Sequence, residues 1–149
     1  MDKLFASRTG IDGLVLRIAF GVMMFPHGAQ KLLGWFGGYG FSGTMEFFTG
    51  SMGIPAVFAF AAIVTEFFGA LALLVGAFTR IAALGLGFTM LVAAGFHWKN
   101  GFFMNWSGSQ AGEGIEFHIL AIGIAVALVL RGAGTLAVDN LLQKRLKPA

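Results

Sequence analysis

Apolar residues run along the chain in four long blocks, which short polar or glycine-rich segments separate. The blocks cover residues 13–33, 54–78, 80–98 and 115–130. Each is close to the ~20 residues that an α-helix needs to cross a ~30 Å hydrocarbon layer, although the fourth is short. Pro55 stands in the first turn of the second block, where its missing N–H does no harm. The pattern predicts an all-α membrane protein, a bundle of four transmembrane helices that forms one domain over residues 1–149.

The connections between the blocks predict the direction of the helices. Thr79 and Arg80 leave only a very tight connection, so the second and third helices form an antiparallel hairpin. With four spans, seven basic residues fall on one side of the membrane: Lys3, Arg8, Arg80, Arg131, Lys144, Arg145 and Lys147. Because Lys and Arg mark the cytoplasmic side, both termini are predicted to be cytoplasmic. Residues 44–48 predict a short interfacial helix in the first outer loop, and residues 139–147 predict an amphipathic tail helix.

The composition agrees with a membrane protein and excludes several functions. Of 149 residues, 57% are hydrophobic and 11% are charged, whereas soluble domains carry about 25% charged residues. The chain has no cysteine, which excludes disulfides, thiolate metal sites and thiol redox relays within it. Its net charge of +3 comes from basic residues that flank the apolar blocks. These residues form no patch interleaved with aromatic side chains, so nucleic-acid binding is not expected.

Ionisable residues within or beside the apolar blocks are the candidates for function. They are Arg17, His27, Lys31, Glu66, His97 and Glu116. Glu66 lies near the centre of the second block, where an ionised side chain costs about 2.5–3.5 kcal/mol unless a partner compensates it. Helical spacing places Arg17, His27 and Lys31 in one sector of the first helix. These groups are therefore expected to face the interior of the bundle.

Depth in the membrane predicts which groups meet. Arg17 lies on the cytoplasmic side of the midplane and Glu66 close to it, so these two residues are candidates for a buried ion pair. In the purely structural interpretation, this pair fixes helix register and takes no part in chemistry. A His27–Glu66 contact is the second option. On the fourth helix, Glu116 and His118 point about 200° apart. Glu116 is predicted to face inward and His118 to be interfacial, which gives a polar pocket open to the outer side.

Such a pocket suits the head group of a quinone, whose carbonyls accept hydrogen bonds and take up protons on reduction. Glu66 and His27 are the candidate catalytic residues, because they can carry protons. The candidate substrate-binding residues are Arg17, Lys31, His97 and Glu116. The pocket also suits a small anion such as thiosulfate. No covalently bound cofactor is predicted, and the wide spacing of the potential ligands predicts no metal site.

The residue patterns in and beside the apolar blocks resemble those of the DoxX family of small four-span membrane proteins. The similarity extends over R-x9-HG-x2-K (Arg17, His27, Gly28, Lys31), E-x2-G-x6-G-x3-R (Glu66, Gly69, Gly76, Arg80), HWKNG from His97, and the acidic start of the last helix at Glu116. The resemblance implies a four-helix bundle in the bacterial inner membrane. It also implies a membrane subunit of an oxidoreductase system, since one related branch, DoxD, belongs to a thiosulfate:quinone oxidoreductase.

Three functions follow from these observations. The leading hypothesis is a quinone-binding membrane subunit that receives reducing equivalents from a peripheral redox enzyme or a small donor. The second is a non-enzymatic adaptor that anchors such an enzyme through the loops and the basic tail at residues 144–147. The third is a small-solute transporter, which the absence of an inverted repeat or broken helix disfavours. The expected partners are the lipid bilayer, a peripheral redox subunit and a second copy of the chain.

Overall fold

The computed structural model describes residues 10–146, and this part of the chain contains six α-helices and no β-strand. They are α1 (Ile11–Leu33), α2 (Gly40–Glu46), α3 (Ala56–Val75), α4 (Thr79–His97), α5 (Glu116–Arg131) and α6 (Val138–Leu146). A 3₁₀ turn follows α1 and another follows α4, and a π-helical turn, Phe47–Ser51, extends α2. The all-helical prediction is confirmed. Lys3, Arg8 and Lys147, on which the predicted orientation partly depends, lie outside the described residues.

The four long helices pack in a ring. α1 packs on α3, α3 on α4, α4 on α5, and α5 returns to α1. One end of this bundle, which we call the loop end, carries the connections 34–55 and 98–115. The opposite end, which we call the tail end, carries the α3–α4 turn and α6. The interior is apolar and is filled mainly by Phe20, Met24, Leu73, Leu86, Met90 and Leu128.

The outer surface of the bundle matches a lipid environment. Within residues 10–146, three segments are long and apolar enough to cross a membrane, namely α1, α3 and Thr79–Asn100, which includes α4. α5 has 16 residues and is therefore about 24 Å long, shorter than the ~30 Å hydrocarbon layer. Large apolar side chains such as Phe58, Leu84 and Leu130 are 62%, 64% and 71% exposed on the outer faces. A soluble bundle rarely leaves such an extended apolar surface in water.

The turn between α3 and α4 is formed by residues 76–78. Gly76 adopts the left-handed conformation (φ 69°), and its N–H donates to the carbonyl of Leu73 at 3.1 Å. This conformation favours glycine and ends α3. The predicted second block, which continued to residue 78, is therefore too long at this end. The predicted hairpin itself is present, since α4 begins at Thr79.

One carboxylate attaches α6 to the amino end of α4. Asp139, which is 2% exposed, accepts the N–H groups of Phe78 and Thr79 at 2.6 and 2.9 Å. The first N–H groups of a helix have no partner within it, so Asp139 caps α4 from a different helix. The predicted tail helix is thus present within the described residues, and it begins at Val138.

Candidate functional site

A buried ion pair joins α1 to α3. The Nζ atom of Lys31 donates to Oε2 of Glu66. Glu66 is only 3% exposed, whereas the Lys31 side chain is 26% exposed. The carboxylate in the centre of α3 is therefore compensated, as its cost in an apolar segment requires.

Gly28 makes this pair possible, because it brings the two helix backbones together. A Cβ atom on Gly28 would lie 2.6 Å from the backbone of Phe67 and 2.7 Å from the carbonyl carbon of Glu66. No other residue fits at this crossing without separating the helices. Lys31 follows one turn later, so its side chain reaches the carboxylate directly.

The expected pair between Arg17 and Glu66 is wrong. The Arg17 guanidinium donates to five backbone carbonyls at the tail end, those of Leu73, Leu74, Ala133, Thr135 and Leu136, at 2.6–3.2 Å. The last carbonyls of a helix lack partners within it, so a buried arginine beside the end of α3 binds them rather than a carboxylate farther along. Fourteen residues, or about 21 Å of helix, separate Arg17 from Lys31. Arg17 is therefore outside the polar site.

His27 lies on the exposed side of the ion pair. It is within electrostatic range of both Lys31 and Glu66. Its ring also faces that of Phe117 on α5, with the ring centroids 6.3 Å apart. The second option, a His27–Glu66 contact, is replaced by the Lys31 hydrogen bond, and His27 remains beside the pair.

Two histidines meet between α4 and α5. The rings of His97 and His118 stack with centroids 5.0 Å apart and planes inclined by 28°. His118 is 6% exposed, so the prediction that it is interfacial is wrong. It shares a buried face with Ala121, Ala125 and Leu128. That spacing of i, i+3, i+7 and i+10 was the signal in the sequence that could have identified it.

Glu116 contacts the connection that precedes α5. Its Oε1 atom accepts the backbone N–H of Met104 at 2.9 Å and the indole N–H of Trp106 at 3.0 Å. The carboxylate thus fixes the 98–115 connection against the start of α5.

An open cavity of about 250 Å³ lies beside Lys31 at the loop end. Its walls combine polar and aromatic residues, namely Gln30, Lys31, Gly37, Gly38, Tyr39, Thr44, Phe47 and Phe48. Thr44, Phe47 and Phe48 come from α2 and its π-helical extension, which the sequence suggested only as an interfacial helix, and Tyr39 directly precedes α2. Lys31 lines this cavity and also forms the ion pair with the buried carboxylate of Glu66. Among residues 10–146, no group of three His, Asp or Glu side chains is arranged for a metal ion.

Comparison with known proteins agrees with this architecture. The DoxX family model matches residues 13–105. "Inner membrane protein YqjF" of Escherichia coli (strain K12) is 31% identical over 138 residues, which cover 89% of this chain and 92% of that protein. "Putative oxidoreductase CatD" of Bacillus subtilis (strain 168) is 30% identical over 139 residues, with 93% and 90% coverage. No solved structure matches.

The family model covers the Lys31–Glu66 pair, the cavity beside it and the first three long helices. Its match, the relatives that this chain covers over 92% and 90% of their length, and the apolar helices together identify the family and the location. The chain belongs to the DoxX family and is a multi-pass inner membrane protein.

Proposed function

We propose that the protein is the membrane subunit of an oxidoreductase system and that it binds a quinone head group in the cavity beside Lys31. The observation that carries this proposal is the connection between a buried carboxylate and an open cavity through one lysine. Glu66 is buried, and Lys31 both bonds it and lines the cavity. The name of the Bacillus subtilis relative, "Putative oxidoreductase CatD", supports the same class of function.

The chemistry of these side chains suits a quinone. The Lys31 ammonium is positioned to donate a hydrogen bond to a quinone carbonyl, while Phe47 and Phe48 offer apolar surface to its ring. Reduction to the quinol takes up two electrons and two protons. Glu66 and His27 are the groups that would exchange those protons. A peripheral redox enzyme would supply the electrons, because the side chains of this site do not act as electron donors.

A small anion fits this site less well than a neutral head group. Glu66 already neutralises Lys31, and its carboxylate would repel thiosulfate. A quinone carbonyl instead accepts a hydrogen bond without adding a net charge. The electrostatics of the pair therefore favour the quinone.

The proposal includes a four-span topology with cytoplasmic termini. The other three long helices alternate in direction through the bundle, and α5 continues this alternation. Its length of about 24 Å is compatible with local thinning of the bilayer. The exposed basic residues Arg131, Lys144 and Arg145 lie at the tail end, which is consistent with a cytoplasmic position. The cavity would then open on the outer side of the membrane.

The adaptor alternative is supported by one observation. Asp139 fixes α6 rigidly to the bundle, and α6 exposes Lys144 and Arg145 in its last turn. A partner enzyme with an acidic surface would find these charges in a fixed position. This alternative and quinone binding are compatible, because they use opposite ends of the bundle.

The test is quantification of quinone that co-purifies with the protein in mild detergent, by mass spectrometry. We expect a near-stoichiometric quinone in the wild type and a loss of at least tenfold in Glu66→Gln and Lys31→Met. Glu113→Gln is the matched control, because Glu113 is exposed in the 98–115 connection and the amide oxygen can still accept the Asn105 N–H. Equal quinone in folded wild type and Glu66→Gln would overturn the proposal.

A further inference from the structure

A second, wholly apolar groove lies between α4 and α5. Its volume is about 260 Å³. Its main walls are Ala83, Gly87 and Leu91 on α4 and Ala125, Val126 and Val129 on α5. It shares no residue with the cavity beside Lys31, and it serves no purpose in the proposed quinone site.

Small residues on both helices give the groove its depth. Gly87 faces Ala125 so closely that a Cβ atom on the glycine would lie 2.8 Å from the alanine Cβ. The rims are open, since Leu91 and Val126 are 58% and 52% exposed. The groove is therefore a slot in the lipid-facing surface rather than an enclosed cavity.

Arg80 closes the tail end of this groove. It lies on the same face of α4 as Ala83, Gly87 and Leu91, at a spacing of i, i+3, i+7 and i+11. Its Nη1 atom donates to the carbonyl of Val129 on the opposite wall. A guanidinium is thus positioned across the end of an apolar slot, at the boundary between the helices and the tail-end connections.

The dimensions match one hydrocarbon chain of one leaflet. From Ala83 to Leu91 the groove runs about 12 Å along α4, whereas half of the hydrocarbon layer measures about 15 Å. A helix of the same length has a volume of roughly 900 Å³, since its diameter is about 10 Å. The groove therefore admits a single extended chain, whereas a helix from a second copy of the protein could insert only its side chains.

We infer that this groove binds one acyl chain of an anionic phospholipid, whose phosphate contacts Arg80. The positive charge of the guanidinium attracts the phosphate, as a cation beside a membrane surface attracts anionic head groups. The apolar walls hold the chain, and the cation selects the anionic head group. This inference is independent of the quinone proposal, because the two sites share no residue.

The test is native mass spectrometry of the purified protein titrated with phosphatidylglycerol and phosphatidylcholine. We expect one phosphatidylglycerol to bind the wild type at least fivefold more tightly than phosphatidylcholine, the effect of about one cation at an anionic surface. Arg80→Gln removes this preference, and Arg80→Lys retains part of it. Arg145→Gln, an exposed arginine outside the groove, leaves the preference unchanged.

A second variant tests the groove without altering its charge. Val126→Trp places an indole over the slot from its exposed rim, so it is expected to abolish binding of this one lipid without unfolding the protein. Leu120→Trp is the control, because Leu120 is 63% exposed on α5 and lies outside the groove. Three outcomes would overturn the inference: no lipid preference in the wild type, an equal loss in Arg145→Gln, or retention of the lipid in folded Val126→Trp. Loss of a dimer in Val126→Trp, with no lipid bound to the wild type, would also overturn it and identify a protein contact instead.

Discussion

Lys31 and Glu66 form an ion pair whose two members differ sharply in their surroundings. The carboxylate is buried in α3, and the ammonium on α1 borders an open cavity. A ligand in the cavity can therefore influence the buried carboxylate through the lysine. The pair is therefore expected to affect both the stability of the bundle and the binding of quinone, and mutations can separate these two effects.

Removal of Lys31 alone is expected to destabilise the bundle. Lys31→Met leaves Glu66 buried without a cation, which we expect to lower the free energy of unfolding by about 2–3 kcal/mol, less than for a fully buried pair because Lys31 is partly exposed. The double variant Lys31→Met with Glu66→Met should regain most of this stability while it still lacks quinone. Unfolding in detergent measures both effects. Equal stability of the single and double variants would contradict a coupled pair.

Arg17 is expected to be essential for stability and irrelevant to quinone binding. Arg17→Lys places one ammonium where five carbonyls require donors, so the expected loss is at least ~3 kcal/mol. Thermal unfolding measures the loss, with Arg145→Lys as the exposed control. Quinone content per folded molecule should stay at the wild-type level. A selective loss of quinone would place Arg17 in the binding site after all.

Gly28 is expected to tolerate no side chain. Gly28→Ala puts a methyl group 2.6 Å from the backbone of Phe67, so α1 and α3 must separate and the Lys31–Glu66 pair is broken or lengthened. We expect a lower melting temperature and a loss of quinone. Gly95→Ala on α4 is the control, because nothing lies within 4 Å of its added Cβ and alanine favours a helix by up to about 1 kcal/mol. Similar melting temperatures for the two variants would exclude the close crossing.

Asp139 is expected to stabilise the amino end of α4, although it lies 60 residues after Thr79 in the sequence. Asp139→Ala removes the cap from the N–H groups of Phe78 and Thr79, which we expect to cost about 1–2 kcal/mol. Asp139→Asn should cost less, because the amide oxygen can still accept one of these bonds. Hydrogen exchange at the amino end of α4 provides the measurement. Unchanged protection there in Asp139→Ala would show that the carboxylate does not act as a cap.

The helices were predictable because hydropathy depends only on local composition. The first three apolar blocks correspond to α1, α3 and α4, and their ends differ from the prediction by a few residues where glycine conformations intervene, as at Gly76. The importance of Lys31 and Glu66 was also visible, since each is an ionisable group in or beside an apolar block. Hydropathy alone, however, did not predict that these two residues contact each other.

The pairing was mispredicted because it depends on how far the helices are offset along their axes. The limits of the apolar blocks predict depths at which the long side chain of Arg17 reaches Glu66. The crossing at Gly28 instead sets α1 so that Arg17 reaches the carboxyl end of α3, where free carbonyls compete for its donors. Loop contacts were invisible for a similar reason. Glu116 is held by Met104 and Trp106, whose positions follow from the fold of the connection.

The contacts of Arg17 also limit when α1 can reach its final environment during synthesis. Two of the carbonyls that Arg17 binds, those of Thr135 and Leu136, come 118 and 119 residues later in the chain. The cap that Asp139 provides for α4 also forms across 60 residues. Until the ribosome has made this segment, α1 carries a guanidinium with too few acceptors, and α4 lacks its cap. The first helix is therefore inserted early but reaches its final environment only when the tail segment docks, so chains that stall before residue 133 would display an incomplete bundle to membrane proteases.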